Sequence, residues 1–301
     1  MPRGRTDIRR AGAGKAPAPR PVRRRLADAA VALALLAGAL LLAYPSLSSW
    51  HSQEGQHADV RSYAAAAEAV PTGEQQAQLE LARSYNERLA SGAPADPFSA
   101  DEGAGGGVAE PGSLAAEYSG ILDVYDGIMG YLSVPSVGIE LPIRHGTGSR
   151  ALRLGAGHLP QTSLPVGGEG THSVLSAHTG LPEAKLFDDL DKVVEGDVFY
   201  IRVYGETLAY EVDGISVVEP SDTAQLARVE GEDHVTLVTC TPYGINSHRL
   251  LVRGTRVPYE AEGEVADQEY ADPFPWWTLL LLAGWAAAVV ALWRTGRSRV
   301  G

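Results

Sequence analysis

A single cysteine, Cys240, stands in the whole chain of 301 residues, so no intrachain disulfide can form. Metal-ligand spacings are also missing. There is no CxxC, HxxxH or HExxH, which leaves no zinc signature, and neither a metal nor a cofactor is expected. Basic residues are scarce in the middle of the chain. Of the 25 Lys and Arg, twelve precede Leu26 or follow Trp293; the other 13 face 35 acids once Asp7 and Asp28 are set aside. So acidic a region would repel a polyanion, which excludes nucleic acid as a partner.

Two stretches lack charge almost entirely. Leu26 to Tyr44 (LADAAVALALLAGALLLAY) is interrupted only by Asp28, and Trp276 to Trp293 (WWTLLLLAGWAAAVVALW) by nothing. Each has roughly the length that crosses a bilayer as a helix, and the second has Trp at both ends, where amphipathic rings suit the headgroup region. Arg3, Arg5, Arg9, Arg10, Lys15, Arg20, Arg23, Arg24 and Arg25 precede the first; Arg294, Arg297 and Arg299 follow the second. Basic flanks stay cytoplasmic, so the acidic middle is expected outside the membrane, with both termini inside if the first segment is retained. Whether that segment is a cleaved signal or an anchor is open, since no compelling small-x-small cleavage site follows before Trp50. A lone thiol in an exported domain invites a chemical explanation.

The expected organisation is a basic tail (1–25), a signal or anchor segment (26–44), a juxtamembrane helix and lid region (45–116), a β-rich domain (117–259), an acidic linker (260–275), a transmembrane helix (276–293) and a basic tail (294–301). Gly73 to Leu89 has helical composition. Residues 91–113 are dense in Gly, Ala, Pro and acids, too poor in apolar surface to fold alone, and read as a loop or lid. After Tyr118, short apolar or alternating runs are punctuated by Gly and Pro; seven or eight short strands imply a barrel or sandwich. Brief helices are expected over 183–190 (EAKLFDDL) and 221–229 (SDTAQLARV).

Cys240 ends the strand HVTLVTC and is followed by the loop TPYGINS before HRLLVRG returns. Free cysteines are commonly inert and buried, but a guanidinium at Arg249, near the start of the returning strand, would favour thiolate if the two strands pair. His178, at the end of HSVLSAH before a Gly and Pro loop, can give or take a proton. Seven other histidines compete for that role, and spacing does not choose among them.

Taken together, TLVTCTPYGINSHRLLVRG (236–254) and LSAHTGLP (175–182) resemble the catalytic signature of the sortases, class C in particular. The likeness extends through GYLSVPSVGIELPI (130–143) and GAGHLPQTSLPVGG (155–168), about half the chain. It implies a closed eight-stranded β-barrel with short helices, flanked here by two transmembrane helices. It further implies a cysteine transpeptidase with Cys240 as nucleophile, His178 as acid and base, and Arg249 as oxyanion stabiliser, with Thr239 beside the nucleophile touching substrate. Such an enzyme would cut an LPXTG-like sorting signal between Thr and Gly and pass the acyl group to a pilin lysine. Pilin subunits and the cytoplasmic membrane are then the expected partners. Class C members carry an Asp-Pro-aromatic lid, and Asp96-Pro97-Phe98 fits it, with Asp96 expected on Arg249 and Phe98 over Cys240. The same tripeptide recurs at Asp272-Pro273-Phe274, where a turn at the membrane boundary explains it. The rival readings are a sortase that anchors proteins to cell-wall peptide, a hydrolytic or wall-cross-linking cysteine enzyme, and a non-catalytic extracellular barrel.

Overall fold

The computed structural model describes residues 22–89, 93–98, 114–259 and 273–298. The basic N-terminal tail up to residue 21, residues 299–301 of the C-terminal tail, most of the expected lid loop, and the acidic linker over 260–272 with Asp272 lie outside the described residues.

The chain divides into two units, residues 1–45 with 275–301, and residues 46–274. Helix α1 (Val22–Ala69) runs on through Pro45, well past the expected end of the apolar segment. Its stretch from Leu26 is long and apolar enough to cross a membrane by length and composition. In the same unit, α5 (Trp277–Ser298) carries a shorter apolar helix over Trp277–Ala291, and the Trp285 indole N–H donates to the Ala32 carbonyl at 2.9 Å.

The second unit is built on a closed barrel of eight strands in the order β1-β2-β3-β4-β7-β8-β6-β5. The strands are β1 (Ile128–Val134), β2 (Ile139–His145), β3 (Ala156–His158), β4 (Thr171–Ser176), β5 (Val198–Val203), β6 (Glu206–Val218), β7 (Asp233–Thr241) and β8 (His248–Val257). Alternation along β7 and β8 sends Val235, Leu237, Leu250 and Val252 into the main core, while Val238 and Leu251 join a second, smaller cluster on the other face. At Gly254 any side chain would collide with the Phe199 ring, which would sit 2.5 Å from a Cβ; the missing side chain lets the aromatic fill the barrel.

Outside the barrel, the second half of α1 and helix α2 (Thr72–Arg88) add Tyr63, Leu79, Ala82 and Tyr85 to the main core. The α1 contact also carries buried polar groups. The Tyr63 hydroxyl donates to Met129 O (3.1 Å) and accepts from Tyr204 N–H (3.1 Å), and the buried Arg144 guanidinium bonds Asp59 and Asp126. Short helices α3 (Leu114–Tyr118) and α4 (Ser149–Leu154) complete the unit.

Two expected helices are corrected. Residues 183–190 form turns that end in a 3-10 turn at Leu190–Lys192, and 221–229 holds only the 3-10 turn Ala224–Leu226. In the first, the backbone is tied elsewhere: Phe187 N–H donates to His178 O, and the Asp188 carboxylate accepts from Gly180 N–H. A helix-like composition yields to these longer-range bonds.

Candidate active site

Strand β7 ends at Thr241, one residue past Cys240, and β8 begins at His248, one before Arg249. Their antiparallel register sets Cys240 directly opposite Arg249. Strand β4 runs parallel to β7 and ends at Ser176, so the chain just beyond it, with His178, leaves the sheet at the same end as Cys240. Two bonds lock this junction. Ala177 N–H donates to Val238 O (3.2 Å), and the Thr239 hydroxyl donates to Ala177 O (2.8 Å). Thr239 is thus buried in the strand junction, coupling the strands that carry Cys240 and His178; that is where the structure puts the residue expected to touch substrate.

The loop after His178 is fixed as well. The Asp188 carboxylate accepts from Gly180 N–H (2.7 Å) and from the Thr179 hydroxyl (3.3 Å). Gly180 has φ +77°, and a side chain there would touch the Tyr243 ring of the loop after Cys240. Neither Asp188 nor this loop contact is flagged by spacing in the sequence, because both depend on how two loops meet in space.

The segment 93–98 covers the mouth. Asp96 receives two bonds from Arg249, Nε to Oδ1 at 2.9 Å and Nη2 to Oδ2 at 2.7 Å, with side chains only 7% and 11% exposed. Such a bidentate fork is the strong geometry for this pair. The Phe98 ring lies 5.5 Å from the His178 ring, tilted at 43°, and the Arg249 guanidinium sits 5.0 Å from its centroid. The ring contacts that the structure shows for Phe98 are therefore with His178 and Arg249, whereas the sequence reading set it over Cys240. Phe98 also packs on the second apolar cluster, which includes Val174, Val218, Val238 and Leu251.

These surroundings set the protonation states. Burial pushes the Cys240 thiol up; Arg249 pulls it down and Asp96 adds to the rise. Burial, with the charge of Arg153, lowers the His178 imidazole. Under the closed segment both groups are held neutral, and the guanidinium that would stabilise a thiolate or an oxyanion is occupied by Asp96. Among the described residues no group of three or more His, Cys, Asp or Glu is arranged to hold a metal ion.

Half-buried Cys240 at a strand end, His178 just beyond the neighbouring strand, and Arg249 directly across the ladder thus come together at one end of a closed β-barrel. The family model for the sortase domain matches residues 132–257. Sortase C-1 from Actinomyces oris is 46% identical over 62% of this chain and 99% of its own, with a TM-score of 0.57. Sortase C1 from Streptococcus agalactiae is 45% identical over 68% of this chain and 97% of its own, with a TM-score of 0.61. Sortase A from Bacillus anthracis is 31% identical over 135 residues, 45% of this chain and 62% of that protein. The chain spans less than two thirds of the length of that curated relative. The chain belongs to the sortase family, and within it the likeness is to the class C branch.

Proposed function

We propose that the protein is a membrane-anchored class C transpeptidase that joins pilin subunits. The observation that carries this reading is the Asp96–Arg249 fork with Phe98 laid against His178, a cover built from one short segment over the two residues that flank the single thiol of the chain. In the proposed reaction the cover withdraws and Arg249 is released from Asp96. The Cys240 thiolate attacks the carbonyl carbon of the Thr in an LPXTG-like signal; the C–S bond forms as the C–N bond to Gly breaks. Arg249 donates hydrogen bonds to the oxyanion, and His178, which takes the thiol proton as the thiolate forms, passes it to the leaving amine. A pilin lysine amine then attacks the thioester, the C–S bond breaks, an isopeptide forms, and His178 accepts the proton. Where no amine is present, water would take the acyl group as in a thiol protease.

The apolar part of α1 would anchor the enzyme and α5 would form a second crossing, the basic flanks placing the barrel outside the membrane. The test of the acceptor uses the full chain in detergent with Asp96→Ala, an LPXTG peptide, and a folded pilin domain bearing a lysine. Tandem mass spectrometry is expected to find the peptide on a lysine Nζ. Transfer to a cell-wall peptide amine with none to lysine would support the wall-anchoring reading.

A further inference from the structure

The face that carries Cys240 continues past the cover. Across the ladder, Cys240 lies opposite Arg249 and Arg249 opposite Val218. Two residues further in, Val238 lies opposite Leu251 and Leu251 opposite Ser216; two more, Thr236 lies opposite Arg253 and Arg253 opposite Gly214. Side chains two apart on a strand share a face, so these are three successive rows of one surface. The first two rows contribute Val218, Val238 and Leu251 to the apolar cluster on which Phe98 rests. The third opens into a cavity of about 170 Å³ whose walls include Glu195, Ser216, Gln225, Thr236, Leu251 and Arg253. Leu251 belongs to both, so the cavity adjoins the apolar cluster along the same face.

The cavity differs in chemistry from the apolar cluster beside it. Arg253 is held in one geometry: its Nε and Nη2 donate to Asp213 at 2.9 and 3.1 Å, and its guanidinium lies over Gly214, 3.7 Å from where a Cβ would stand. The register shift between Val212 and Gly214 sets Asp213 out of the ladder for this purpose. Those bonds use two of the five guanidinium donors; among the described residues the others have no hydrogen-bond partner. The Ser216 hydroxyl donates to Gln225 Oε1 (2.9 Å), which leaves the Gln225 amide donors, while Glu195 offers a carboxylate. Donors and acceptors therefore both line the cavity, and two carboxylates against one guanidinium disfavour an acidic guest.

An extended peptide advances about 3.3 Å per residue, and Thr236 stands four residues from Cys240 on its strand. With the signal's Thr carbonyl at Cys240, four residues upstream is the position immediately before the leucine. We propose that this cavity is a subsite for that residue, selective for an uncharged amide or hydroxyl side chain. The inference rests on the proposed function, since it takes the sorting signal as substrate.

The test measures acylation of the full-length Asp96→Ala protein in detergent by three LPXTG peptides that carry Gln, Ala or Asp before the leucine. The Gln peptide is expected to have a KM about fivefold below the other two at equal kcat. The three are expected to converge in Gln225→Ala and in Arg253→Gln; Gln225 lies on an exposed 3-10 turn, so its variant keeps the test independent of the Asp213 pairing. Equal KM for all three peptides in the parent protein, or a Gln preference that survives both variants, would overturn the subsite. Failure of every peptide to acylate would instead remove the reading of Cys240 on which the subsite depends.

Discussion

Burial raises the thiol of Cys240 and lowers the imidazole of His178, so the reactive pair is uncharged near neutral pH while Asp96 occupies Arg249. Removing the Asp96 carboxylate takes away one group that raises the thiol and leaves Arg249, which lowers it, opposed by burial alone. Below its pKa a thiol gains tenfold in thiolate for each unit the pKa falls. Asp96→Ala is accordingly expected to react with iodoacetamide about tenfold faster at pH 7, with the midpoint of its pH–rate profile moved down. Phe98→Ala uncovers the site without removing a charge, so its rate should rise with a smaller change in midpoint. If both variants alkylate at the wild-type rate, segment 93–98 does not control the thiol.

At the scale of elements, the packing of α1 on the barrel depends on one hydroxyl that serves two backbones, Met129 O and Tyr204 N–H. Tyr63→Phe keeps the ring and leaves both groups buried without it, which costs about 1–3 kcal/mol; urea denaturation of the full chain would show the loss, and an unchanged midpoint would mean that the contact is dispensable. Gly254→Ala should be at least as damaging, because Phe199 fills the space and overpacking costs about 1–3 kcal/mol. The long strands were legible in the sequence because HVTLVTC and HRLLVRG are short runs rich in apolar and β-branched residues, separated by a Pro, Gly and Asn loop. The three-residue β3 was too short to show a period, and the turns at 183–190 are dictated by bonds to His178 and Gly180 that no local pattern reveals. The nearness of Cys240 and Arg249 was an expectation conditional on pairing. Register decides it, and register is set by the whole barrel. The second apolar cluster, with Val174, Val218, Val238 and Leu251, went unnoticed for the same reason: these members come from four strands.

Across the molecule, two buried histidines make the fold sensitive to acid. Burial holds His158 and His172 at about 4, against an ordinary 6.5. His172 bonds the Ala227 carbonyl through Nδ1 and the Thr236 hydroxyl through Nε2, so protonation would turn its acceptor nitrogen into a second donor. A base whose folded pKa is depressed leaves stability unaffected above the unfolded value. As pH falls from about 6.5 towards 4, the unfolded chain takes up the protons first and stability is lost, on the order of 3 kcal/mol per histidine at the end of that window. Urea midpoints should therefore drop between pH 7 and pH 5, with a shallower slope in His172→Gln; a flat profile would show that these rings are not kept neutral by the fold.

The central claim is that Cys240 carries the acyl group of a sorting signal. Intact-mass spectrometry of the full-length protein with Asp96→Ala, mixed with an LPXTG peptide and no amine, tests it most directly. The account predicts an adduct with the mass of the peptide's acyl portion ending at Thr, located on Cys240, labile to hydroxylamine and missing when Cys240→Ala is combined with the open lid. An open-lid protein whose thiol alkylates freely but never gains that mass would contradict it.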